Sequence, residues 1–309
     1  MAGFISEFFG YRAEDRSARA LKAARDKKCP FLGTACTKIL GREKIISGAC
    51  AIRLKKAGSP SVICCPNRMY ADDYKLLRTI GARAFGVSLN FYAGRVAVEK
   101  AKTEGGAIAV FGHGWGGELR IPKRQGSGSY FVDWVLARLD GDGRLVDFTA
   151  IEIQTIDTSN SYLVSQQALA KDRSIVKSKV GLNWENVTKR ILSQVIFKGQ
   201  VLQREEQCKT GLYFVCPAPV VSNVIRRLGG KEKLPVFPTQ PASVHFVAYD
   251  YAKGFDEVEE GVAVPLDFIE EHCTTVYKLQ EAYSSMDLPE GNVFGNAIRR
   301  RLYDGDGGM

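Results

Sequence analysis

The stretch from Phe131 to Gln154 constrains this chain more than any other. It reads Phe-Val-Asp-Trp-Val-Leu-Ala-Arg-Leu, then Asp-Gly-Asp-Gly-Arg, then Leu-Val-Asp-Phe-Thr-Ala-Ile-Glu-Ile-Gln. Two runs rich in β-branched and aromatic residues flank a Gly/Asp turn, which predicts a β-hairpin. With residues 141–144 as a four-residue loop, Asp140 faces Leu145, and counting back sets Asp133 opposite Glu152. Opposed residues share a face, their Cβ atoms about 5 Å apart. Gln154, two residues further on, points the same way. Opposed carboxylates repel each other. A Mg²⁺ ion between them removes that penalty, because it takes one or two carboxylates plus phosphate oxygens and water. Apolar neighbours (Phe131, Val135, Ile151, Ile153) set the pair at the rim of a core. The pattern points to metal-dependent phosphodiester chemistry. The plainer reading is two solvated carboxylates on an ordinary hairpin, and a one-residue bulge would break the pairing.

Composition narrows the partners. The chain has 309 residues, 45% of them apolar, enough for one large domain or two smaller ones. The net charge of +9, from 43 Lys+Arg against 34 Asp+Glu, favours a polyanion such as nucleic acid. No run of 18 apolar residues is present, and the N-terminus lacks a basic start followed by a long apolar stretch. The expectation is a cytoplasmic protein with no membrane partner. Eight cysteines in such a chain point to metal or buried thiols before disulfides.

Five of those cysteines (29, 36, 50, 64 and 65) lie between residues 29 and 70. Their spacing is not that of a zinc finger, yet four gathered thiolates suit a tetrahedral Zn²⁺ or iron ion. A closed four-thiolate site has structural use only. Buried free thiols are the alternative. Cys64 beside Cys65 leaves the fourth donor open. Cys208, Cys216 and Cys273 read as packing residues, and His113, His245 and His272 are too scattered for a His-based site.

Residues 3 to 28 read as helical, with a basic side from Arg16 to Lys28, and 71 to 103 as helices. Residues 107–111 form a short buried strand. Glycines 112, 114 and 117 have the spacing of a dinucleotide loop, but the following Glu118-Leu-Arg-Ile-Pro alternates like a strand and opens no helix. No nucleotide cofactor is expected. Glu118 is a candidate third acid near Asp133, or a surface residue. Lys123 to Ser129 reads as a flexible turn. Residues 184–206 form the clearest helix, from Trp184, Val187, Ile191, Val195 and Leu202, with Lys189, Arg190 and Lys198 decorating it. A strand at 212–216, a helix at 220–228 closed by two glycines, a strand at 244–251 and a helix at 265–283 follow. The Asp/Gly-rich tail reads as disordered. The order of elements predicts an α/β fold with a mixed sheet, divided as an N-terminal helical and cysteine region, 1–104, and a core, 105–309.

Phe4-Ile-Ser-Glu-Phe-Phe-Gly-Tyr-Arg12, Cys29-Pro-Phe-Leu32, Cys65-Pro-Asn-Arg68, Gly116-Gly-Glu-Leu-Arg-Ile121, Asp133-Trp134, Glu152-Ile-Gln-Thr-Ile-Asp157 and Asn186-Val-Thr-Lys-Arg190 occur together and in order. In these the chain resembles the NotI-type type II restriction endonucleases, a branch of the PD-(D/E)XK nuclease superfamily. The resemblance implies a restriction-endonuclease-like core, with Asp133 and Glu152 as Mg²⁺ ligands and Glu118 as the preceding acid. Gln154 stands where most of the superfamily has Lys, and a neutral amide can only orient water or substrate. A four-cysteine iron site is implied, matched to Cys29, Cys36, Cys50 and Cys65, with zinc as the substitute. Also implied are homodimers that cut double-stranded DNA at GC-only palindromes containing GGCC, in the bacterial cytoplasm. The competing class is a non-catalytic DNA-binding protein with a cysteine metal module and solvated hairpin acids.

Overall fold

A computed structural model describes residues 3–41, 44–56, 58–121, 130–159, 161–252, 254–285 and 290–303. The Lys123–Ser129 turn and the Asp/Gly-rich tail lie outside the described residues.

Residues 3 to 28 are not one helix. Strand β1 (Gly3–Phe8) and β2 (Tyr11–Arg12) come first, and helix α1 is confined to Ala18–Asp26. Ile5, Phe8 and Phe9 are buried, and aromatic and β-branched side chains between packed layers suit a strand. Ser17 starts α1 by accepting the Ala20 N–H at 3.2 Å. A small hairpin of β3 (Ile39–Leu40) and β4 (Ile45–Ile46) leads to β5 (Ala49–Leu54) and β6 (Ser61–Ile63). The first sheet has the order β2-β1-β5-β6.

The segment expected as helices is α2 (Ala71–Phe85), strand β7 (Phe91–Ala93) and α3 (Val96–Glu104). Gly86 and Gly105, both left-handed, end the two helices. Next come β8 (Gly106–Gly112), the ribbon β9 (Arg120–Ile121) with β10 (Tyr130–Phe131), and the hairpin β11 (Trp134–Asp140) and β12 (Leu145–Ile153). The chain continues through β13 (Thr158–Ser159), α4 (Leu163–Asp172), β14 (Gly181–Leu182), α5 (Trp184–Leu202), β15 (Leu212–Pro217) and α6 (Ala218–Arg227). It ends with β16 (Ser243–Tyr251), β17 (Leu266–Thr275), α7 (Val276–Ser284) and α8 (Val293–Tyr303).

The helix expected over 265–283 is therefore a strand followed by a shorter helix. Pro265 introduces β17, whose residues pair antiparallel with β16 from Tyr251↔Leu266 to Ser243↔Thr275. That ladder outweighs the helical start signal of the proline, and the helix begins only after Thr275, which caps it.

Seven strands form the central mixed sheet, ordered β17-β16-β15-β12-β11-β8-β7. The pairs β7·β8, β12·β15 and β15·β16 are parallel and the others antiparallel. Ala150, Phe214 and Phe246 pack on one face with Val195 of α5, Val220 of α6 and Ile5, Phe8 and Ile52 of the first sheet. Ile151, Val215 and Val247 pack on the other face with Leu76, Leu77 and Ile80 of α2. Each such fully buried side chain contributes about 1.5–3 kcal/mol. Residues from both sides of position 104 share these cores. Among the described residues, no helix is long and apolar enough to cross a membrane.

Candidate active site and cysteine pocket

The hairpin sets the site. Along β11 and β12 the pairs run Trp134↔Ile151, Val135↔Ala150 and on to Arg138↔Asp147. One residue further in the same register, Asp133 falls opposite Glu152. The turn itself differs from the expected one. Leu139 pairs with Leu145, so the loop has five residues, 140–144, and a bulge at Val146 restores the register. The two departures cancel, so counting on from Trp134↔Ile151 still sets Asp133 against Glu152.

Glu152 shares its face with Ala150 and Phe148, the face toward α5. Its Oε1 accepts a hydrogen bond from Lys198 Nζ at 2.5 Å. Its Oε2 is buried and has no hydrogen-bond partner, and an orphaned buried carboxylate oxygen is costly unless something binds it. Asp133 stands at the open end of the hairpin and turns Oδ2 inward to accept the Ile153 N–H at 2.8 Å. Burial raises the Asp133 carboxyl above its ordinary range. The Glu118 charge adds to this, while the Ile153 amide and the Lys198 ammonium oppose it. Burial first, and the Asp133 charge second, push Glu152 up to about 7 against the pull of Lys198. The two acids therefore sense each other through the protein.

Glu118 sits in the exposed loop before β9, its Oε1 3.2 Å from His113 Nδ1. Its influence on Asp133 brings it to the margin of the same site. Gln154 continues beyond β12, where its backbone N–H bonds Val215 O at 2.9 Å and its amide Nε2 donates to Thr155 O at 2.8 Å. The amide is thus tied to its own backbone.

The decisive missed residue is Lys198. Expected to decorate the surface of α5, it is 5% exposed. The signal was present in the spacing: Ile191, Val195, Lys198 and Leu202 follow one helical stripe. A lysine in that stripe must find a buried anion, and it finds Glu152. An aromatic group also stands behind Asp133. Trp134 Nε1 donates to Tyr70 Oη at 3.2 Å, and Tyr74 lies 5.1 Å from Trp115 between ring centroids. The glycines before it serve packing. A Cβ on Gly112 would meet the Trp134 ring, and one on Gly116, at φ +82°, would strike Val110 O.

Cys29, Cys36, Cys50 and Cys65 line one cavity of about 10 Å³ together with Arg68. The six-residue interval from Cys29 to Cys36 closes because Lys28 bridges Ala35 and Cys36 N–H bonds Lys27 O at 2.9 Å. Cys64 does not line this cavity. Its Sγ accepts Lys38 Nζ at 3.2 Å, which leaves Cys65 as the member of the pair facing the other three. Burial pushes the Cys65 thiol up to about 11 and holds the Cys50 thiol well above its ordinary value. The donor chemistry is that of a four-thiolate centre. The sulfurs are not drawn together, since no group of three or more His, Cys, Asp or Glu side chains among the described residues is arranged to hold an ion.

No protein-family model matches this chain, and no curated protein matches it.

Proposed function

We propose that the protein is a Mg²⁺-dependent, site-specific endonuclease of double-stranded DNA, built on a PD-(D/E)XK core like that of the NotI-type restriction enzymes. One observation carries the reading: a part-buried Glu152 with a partnerless, buried Oε2 feels the charge of Asp133, with a buried ammonium on its other oxygen. Structural ion pairs rarely leave such an oxygen idle, whereas a divalent ion needs one or two carboxylates of this kind.

Asp133 and Glu152 would hold the ion, which when bound supplies charge to polarise the scissile phosphate and acidify the attacking water. The protein's own groups do the rest. Lys198 holds Glu152 toward its ionised form. The Ile153 amide fixes the Asp133 carboxylate. Gln154 carries no charge and cannot serve as a cationic proton shuttle. In-line attack on the phosphate leaves 5′-phosphate and 3′-hydroxyl ends. A two-fold DNA site calls for a two-fold protein, so a homodimer with one centre per strand fits a palindrome, in the resemblance a GC-rich one containing GGCC. Cys29, Cys36, Cys50 and Cys65 are proposed to hold a structural iron or zinc ion, and a bacterial cytoplasmic setting agrees with eight thiols and no disulfide.

Incubation of a sequenced plasmid with Mg²⁺ tests the reading. Discrete fragments with mapped ends are expected from the wild type, and at least a 1,000-fold slower reaction from Asp133→Asn, which retains DNA binding. Undiminished cutting by that variant would remove Asp133 from the site.

A further inference from the structure

A wide cavity lies away from the carboxylate pair. It is a cleft of about 940 Å³ between the first sheet and the end of β16. Arg53, Lys55, Lys56 and Lys177 line it, against the two carboxylates of Asp250 and Asp256. Asp256 is already engaged, its Oδ1 3.0 Å from Arg53 Nη2. Lys55, Lys56 and Lys177 are exposed, and among the described residues none has a side-chain hydrogen bond or ion pair. Lysines on a convex face are ordinary solvation. Three unpaired ones converging on a concavity focus a positive potential within it.

The sheet fixes where this cleft lies. Glu152, Phe214 and Phe246 are register partners across the parallel strands β12, β15 and β16. Asp250 lies four residues past Phe246 on a strand two positions over. At about 4.8 Å per strand and 3.3 Å per residue, the cleft is roughly 16 Å from Glu152. Glu152 is near the carboxyl end of β12 and Asp250 near that of β16, two strands that run parallel through β15. At about 3.4 Å per base pair this equals some five base pairs of duplex.

We propose that this cleft is a second phosphodiester-backbone site, which grips the duplex about five base pairs from the scissile phosphate. The proposal rests on the nuclease reading for its direction, since it places one polyanion across both sites. A phosphate-only contact positions the duplex and reads no sequence.

The test is the triple variant Lys55→Glu/Lys56→Glu/Lys177→Glu, with the triple Gln variant as the milder control. Binding to duplexes of 8 and 24 base pairs is measured across a salt series. For the wild type on the 24-mer the expected result is tighter binding, with a logarithmic salt slope steeper by about 2–3 than that of the triple Gln variant. Affinity should fall at least tenfold in that variant on the 24-mer and little on an 8-mer centred on the cut, whose ends stop short of the cleft. Single-turnover cleavage at saturating DNA should be unchanged. Equal affinity and slope for wild type and both variants on the 24-mer would overturn the cleft and leave the nuclease reading standing. Loss of binding in the variants, with no cleavage by the wild type in Mg²⁺, would uphold the cleft and remove the nuclease. Inorganic phosphate is the remaining arm. Displacement of the 24-mer by millimolar phosphate at constant ionic strength would mark a small-anion pocket and overturn the backbone assignment.

Discussion

Glu152 and Lys198 set the chemistry at the scale of single residues, and their protonation gives predictions of definite sign. The folded Glu152 carboxyl titrates near 7, above its ordinary 4.5. Its stabilising contribution is complete below pH 4.5 and lost as the pH rises through 7. In chelator, Tm should fall across that window, and Mg²⁺ should restore stability increasingly above pH 7. Lys198→Met removes a lowering influence and should move the Glu152 midpoint upward, while Asp133→Asn removes a repulsion and should move it downward. Carboxyl NMR on the two variants measures both directions. At pH 8 Lys198→Met leaves a buried charge unpaired, at a cost of about 3 kcal/mol, and denaturant titration at pH 8 and pH 5 should show this cost shrinking on acidification.

His245 gives the complementary case. Burial disfavours its charge, but hydrogen bonds to Cys273 and Glu271, the latter at 2.6 Å, overcome that and push it up to about 9. Its contribution is complete below about pH 6.5 and lost as the pH rises through 9. Glu271→Gln should flatten this alkaline loss in a pH series of unfolding midpoints.

Among the elements, the hairpin was the most legible in the sequence. Alternation and the Gly/Asp turn gave its strands, and the facing of Asp133 and Glu152 followed from counting. The turn was not legible, because propensity cannot separate a four-residue loop from a five-residue loop with a bulge. Register is held by the buried faces, not by the turn. Deleting Val146 removes the bulge and alters no pair from Trp134 to Arg138. The variant should remain folded and keep Mg²⁺-dependent cleavage within about tenfold, whereas inserting one residue after Phe148 should move Glu152 to the opposite face and abolish it. Single-turnover assays on both variants check this. The elements misread, 3–28 and 265–283, carry real helical signals that long-range pairing overrides. Phe4, Ile5, Phe8 and Phe9 look like the apolar start of a helix until β5 supplies a partner strand. Lys198 escaped because a cation was read as surface without regard to its place on the stripe.

For the molecule as a whole, the first sheet and the central sheet share one core, with Ile5, Phe8 and Ile52 packed in the same cluster as Ala150 and Phe214. Phe9 and Cys36, which line the cysteine cavity, pack in or against that same cluster. Metal uptake by protonated thiols must release protons, so binding should tighten as pH rises. Metal analysis should give about one Fe or Zn per chain, and Cys50→Ser should lose it together with several degrees of Tm. A folded, fully stable protein without metal would show that the four thiols are simply buried.

In the resting protein an ammonium on a four-carbon stem already occupies one oxygen of Glu152. An ion taken up at the free Oε2 therefore shares its carboxylate with a cation that cannot diffuse away, because it is covalently tethered to the same chain. The demand for magnesium is then set partly inside the fold, by how closely α5 holds that contact, and a shift of the helix by a fraction of a turn would retune it without touching any residue that holds the ion.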